Sequence, residues 1–108
     1  MLAEIPIACT LSAEQLRCGA AELLPALAAE ARVVRAERDG ARLEFAPAAG
    51  IVARIAAVIE RERQCCQFLR FQLDVAAAAG PVTLALSGPP GTGAFLAGLH
   101  PAFAAPEA

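Results

Sequence analysis

The chain has 108 residues, 57% hydrophobic and 19% charged, with a net charge of -2, five Phe and neither Trp nor Tyr. That length and apolar content fit one domain with its own core and exclude a disordered tail or a small disulfide-stapled scaffold. With no basic field and few aromatic platforms, the composition argues against a nucleic-acid partner.

The N-terminal residues carry neither a basic region nor a signal-length apolar run, and no stretch reaches the roughly 18 apolar residues of a membrane span. A cytoplasmic protein with no membrane partner is expected, and in a reducing compartment four cysteines point to metal or redox chemistry rather than disulfides. Residues 4–10, with Ile5 and Ile7 alternating, read as a first strand that ends on Cys9. Ser12-Ala13-Glu14-Gln15 is a capping box, and Leu16, Ala20, Leu23 and Leu27 give the following helix one apolar side. Cys18 lies about 160° from that stripe and reads as a bystander. Pro25 should kink or break the helix near Leu24.

Residues 32–38 and 41–46 flank Asp39-Gly40, a dipeptide suited to the two positive-φ positions of a tight hairpin. After a turn at 47–50, Ile51, Ile55, Val58, Ile59 and Leu69 mark the stripe of a long second helix, expected to end near Phe68. On a wheel with Ile51 at zero, Cys65 falls at about 320°, Cys66 at about 60° and Glu62 at about 20° between them. Glu62 thus interrupts an apolar stripe three and four residues before two adjacent thiols, where helical side chains meet. Glu60, Arg61, Arg63, Gln64 and Gln67 fall on the polar face as solvated charge and amide.

Residues 69–75 alternate as a fourth strand and residues 82–86 as a fifth, followed by a short helix through Phe95 and Leu99. His100 reads as a helix C-terminal residue near the last carbonyls. The domain is expected over 1–100, with 101–108 a frayed tail. Gly88-Pro89-Pro90-Gly91-Thr92-Gly93 imitates a phosphate-binding loop, but Ala94 and Phe95 stand where Lys and Ser or Thr are required, so nucleotide hydrolysis is rejected.

This order predicts an α+β fold: a ferredoxin-like split βαβ antiparallel sheet with helices on one face, extended by a fifth strand and a short C-terminal helix. Following strand directions, the end of the first strand and the end of the second helix share one edge, which brings Cys9 to Cys65 and Cys66. Three thiols beside Glu62 suit a thiophilic cation such as Hg(II), Cu(I), Zn(II) or trivalent arsenic. Glu62 would act as fourth ligand, proton acceptor or orienting group. Neighbouring helical residues diverge by about 100°, so joint chelation requires the helix to loosen at its last turn.

The segments Ile7-Ala8-Cys9-Thr10-Leu11 and Glu62-Arg63-Gln64-Cys65-Cys66-Gln67-Phe68-Leu69-Arg70-Phe71, with the later Gly88-Pro89 turn, resemble a family of small bacterial proteins associated with heavy-metal, particularly mercury, resistance neighbourhoods. The resemblance implies that Cys9, Cys65 and Cys66 are that family's thiols. Members often carry Pro after the paired cysteines, where this chain has Gln67.

The leading expectation is a cytosolic binding protein that sequesters, senses or transfers a thiophilic metal ion at Cys9, Cys65 and Cys66 with Glu62 alongside. One alternative is a thiol redox enzyme using Cys65 and Cys66 with Glu62 as base. Another is a structural or interaction module with inert buried cysteines. The metal's identity and a homodimeric state are left open by the sequence.

Overall fold

The computed structural model describes residues 23–104, apart from the side chain of Cys65. Three helices and four strands follow in the order α1 (Leu23–Glu30), β1 (Val33–Glu37), β2 (Gly40–Phe45), α2 (Ile51–Cys65), β3 (Arg70–Val75), β4 (Val82–Ser87) and α3 (Thr92–Leu99), closed by a 3₁₀ turn at Pro101–Phe103. The expected first strand, the capping box at Ser12, Cys9 and Cys18 all lie outside the described residues.

Alternation decides which face of each strand is buried. Ala41, Leu43 and Phe45 of β2 and Val82, Leu84 and Leu86 of β4 point to one side and are buried, while Arg42 and its neighbours in register face solvent. Leu24, Leu27 and Ala28 of α1, Ile51, Ile55 and Val58 of α2, and Leu96 of α3 cover the inward face and complete a single core. The helices therefore share one side of the sheet. The opposite face carries Arg35, Arg42, Gln72 and Asp74, which keeps it wet.

The sheet order is β1-β2-β4-β3, with every neighbouring pair antiparallel. This is a mixed α+β fold on a four-stranded antiparallel sheet, and no fifth strand is seen among the described residues. The stretch expected as an added fifth strand, residues 82–86, is instead β4, a central strand between β2 and β3. In a ferredoxin-like order that central position belongs to the first strand of the chain. Here Leu84 fills it, opposite Leu43 on one side and Leu73 on the other. Because β2 and β3 both run antiparallel to β4, they are parallel to each other, and α2 is the crossover joining them around the inserted strand.

Three local expectations shift. The β1–β2 loop is Arg38-Asp39, one residue earlier than predicted: Glu37 pairs with Gly40, and Asp39 holds the positive φ of 60°. Gly40 is needed for a different reason, since a Cβ there would run into the carbonyl oxygen of Leu86 on the adjacent strand. Helix α2 stops at Cys65 rather than near Phe68. Finally, the segment after His100 is not frayed at its start: Pro101–Phe103 turns back on the sheet beside β1, and Phe103 is 1% exposed in the core.

His100 ends α3 as expected, as its C-cap, and also supports the turn that follows. Its backbone N–H donates to Leu96 O at 3.3 Å, while its Nδ1 accepts from the N–H of Ala102 at 3.0 Å. The imidazole thus caps the turn that follows it, taking the place Ser or Asp more often fills.

Candidate functional site

Helix α2 starts without a side-chain cap, from Gly50 at φ 81°, and is held to the core by residues spaced at helical period: Ile51, Ile55, Val58 and then Glu62. The same spacing that buries the first three buries the fourth. Glu62 is 0% exposed, as is Cys66 one turn later. Around them Glu60, Arg61, Arg63, Gln64 and Gln67 are exposed, as their place on the wheel requires, with Arg63 donating to Glu60 at 3.1 Å.

A carboxyl group in a core carries an electrostatic problem: its charged form loses hydration. Neither oxygen of Glu62 has a hydrogen-bond partner of good geometry among the described residues. Burial accordingly pushes its pKa from 4.5 to about 7, while hydrogen bonding to the Cys66 side chain and the charge of Arg61 pull it the other way. The structure thus joins two of the residues singled out by sequence, a buried thiol and a buried carboxyl that holds its proton far above the usual carboxylate range.

The two cysteines part company at the helix end. Cys65 is the last helical residue, while Cys66 has φ -111° and ψ 79°, outside the helical region. The loosening that joint chelation requires therefore falls between them. Cys66 keeps one foot in the helix, its N–H donating to Glu62 O at 2.6 Å, and opens a turn whose other end is the Leu69 N–H donating to Cys66 O at 3.1 Å. Gln67 and Phe68 are the middle of that turn, so the bend forms without proline.

This turn sits at the sheet edge where β3 begins and β4 ends, since Arg70 pairs with Ser87. Residues 88–93 arrive at the same edge. Gly88 lies so close that a Cβ would meet the Phe68 carbonyl oxygen at 3.2 Å and collide with the Thr92 hydroxyl. Phe68 and Phe95 meet edge to face with ring centres 5.0 Å apart. The sequence marks Phe68 only as a helix end and Phe95 only as part of a short helix, and nothing in their local pattern announces the contact between them.

The phosphate-loop imitation is answered here too. The Gly91 N–H, which would greet a phosphate, donates to Oδ1 of Asp39 at 3.0 Å, and the Gly88 N–H donates to the Asp39 carbonyl at 3.2 Å. The protein's own carboxylate occupies the anion position.

Of the four residues proposed as a metal site, Glu62 and Cys66 are brought together, Cys65 adjoins them along the backbone, and Cys9 lies outside the described residues. Among the described residues no three His, Cys, Asp or Glu side chains gather in a group that could hold a metal ion, and no helix is long and apolar enough to cross a membrane. No protein-family model, curated protein or solved structure matches the chain.

Proposed function

We propose that the chain is a cytosolic thiol-based binding protein for a thiophilic metal ion, with Cys65 and Cys66 as thiolate ligands, Cys9 as the third and Glu62 alongside. The observation that carries this reading is the pairing of a fully buried carboxyl with a fully buried thiol at the point where the helix releases the second of two adjacent cysteines. Metal-free, that site favours a protonated Glu62, because burial leaves its negative charge poorly compensated. A soft divalent or monovalent cation supplies the missing positive charge, and sulfur donors select for it over hard cations. The ion is cargo to be sequestered, sensed or passed on.

The thiol-enzyme alternative takes support from the same adjacency, Glu62 serving as base. The burial of Cys66 weighs against it: a nucleophilic cysteine needs thiolate character and access, and a neighbouring carboxylate disfavours a thiolate. Inert burial as a small hydrophobe accounts for Cys66 but leaves the fully buried carboxyl of Glu62 without a role.

Native mass spectrometry with competing Zn(II), Cu(I) and Hg(II) tests the reading. Binding of about one equivalent is expected, with sharp loss of affinity in Cys65→Ser and Cys66→Ser and a smaller loss in Cys9→Ser. Unchanged binding in all three variants would sink it.

A further inference from the structure

We propose that Phe95 is a positioning residue for the Cys66 thiol: the 88–95 segment braces the turn that carries Cys66 out of helix α2, so the geometry of the thiol site is set from a part of the chain remote in sequence. The proposal deepens the metal-binding reading and rests on it for its functional meaning, though its structural core can be tested without metal.

Cys66 has left the helix; its backbone bonds back to Glu62 and forward to Leu69, and its side chain meets that of Glu62. A turn of this kind, one residue past a helix end, is where chains fray most readily. What opposes fraying is the burial of Phe68 and its edge-to-face contact with Phe95, a pairing that adds to the area the rings bury. The backbone of the turn is closely packed as well, because a Cβ at Gly88 would sit 3.2 Å from the Phe68 carbonyl oxygen, tighter than an ordinary contact.

The far side of the brace is itself anchored. Thr92 is fully buried and its hydroxyl donates to Pro89 O at 2.7 Å, which closes the 89–92 turn on itself. Asp39 ties both ends of the loop to the β1–β2 hairpin through Gly88 and Gly91. Phe95 enters α3 one turn later, its N–H donating to Gly91 O at 3.1 Å. The chain of contacts thus runs from the sheet edge through Asp39, the loop and Phe95 to Phe68 and Cys66. The turn has no proline to stiffen it, and this packing takes over that task.

The test compares Phe95→Leu, Phe95→Tyr and, as a control on the same helix, Leu99→Ala. Cys66 is alkylated with iodoacetamide in metal-free protein at rising sub-denaturing urea, the site being read by peptide mass spectrometry. Phe95→Leu is expected to speed Cys66 labelling at least tenfold beyond what its loss of global stability produces, Phe95→Tyr to restore the native rate, and Leu99→Ala to label in proportion to global unfolding. If Phe95→Leu labels only in that same proportion, the brace is overturned. Should Phe95→Leu not fold, hydrogen exchange on the unmodified protein decides: the Leu69 and Phe95 amides should open as one unit, and independent opening refutes the coupling. Cadmium titration of the same variants adds the functional arm, Phe95→Leu losing thiolate-to-metal absorbance per ion. No cadmium binding by the unmodified protein would defeat the metal reading while leaving the labelling result intact.

Discussion

The Cys66 amide donates to the Glu62 carbonyl at 2.6 Å, and the two side chains of the same residues meet in the core. One helical turn therefore links a thiol and a carboxyl twice, through backbone and through side chain, at the place where the helix stops.

The first prediction concerns pH. The Glu62 pKa is raised from 4.5 to about 7, so between those values the unfolded chain has lost a proton that the folded protein keeps. Stability of the metal-free protein is then greatest below about pH 4.5 on this group's account, falls as pH rises toward 7, and levels off above it. The span amounts to up to about 3 kcal/mol. Urea unfolding at several pH values should show the decline, and Glu62→Gln should flatten it.

At the hairpin, Asp39 tolerates a φ of 60° and holds Gly91 through its side chain. Asp39→Ala loses both advantages and should cost about 1–2 kcal/mol. Asp39→Gly keeps the backbone freedom and loses only the hydrogen bond, so its urea midpoint should fall between Ala and the native protein. A Gly variant less stable than the Ala variant would contradict this account.

Gly40 permits close contact between the two central strands. In Gly40→Ala the new methyl group meets the Leu86 carbonyl, and the pair must separate. A loss of about 1–3 kcal/mol is expected, as for other overpacked interiors, measured by thermal or urea unfolding.

Phe103 belongs to the core rather than to a tail. Phe103→Ala should cost about 3–5 kcal/mol, while truncation after Ala104 should cost far less. Equal stability of Phe103→Ala and native protein would show that the 3₁₀ turn contributes nothing.

Much of this molecule was legible in the order of its residues. The stripe of α2, including Glu62, could be read because helical period is a local property. The alternation of Leu43, Leu73 and Leu84 likewise announced strands. Their order could not be read, because an alternating strand looks the same at the centre of a sheet as at its edge, and only pairing decides which it is. The end of α2 was misplaced because Gln67 and Phe68 carry no stop signal. Just beyond the helix end Phe68 packs on Phe95, a contact distant in sequence that local preference does not announce. Asp39-Gly40 misled by one position since a glycine can serve conformation or closeness, and the sequence does not distinguish them.

The central seam of the sheet has a kinetic meaning. Each outer pair, β1 with β2 and β3 with β4, is a hairpin that closes over a short loop, whereas β2 meets β4 only after the chain has passed through α2 and β3. Closing so long a loop is costly until its contacts form. Folding is expected to proceed as two early hairpins joined late, with Leu84→Ala mainly speeding unfolding and leaving the refolding rate little changed; a matching slowdown in refolding would place the seam in the nucleus instead. The β3–β4 hairpin already sets the end of β4 beside the Cys66 turn, but the bonds from Gly88 and Gly91 to Asp39 on the other hairpin form only on docking, so the anchoring of residues 88–95 should be completed last of all.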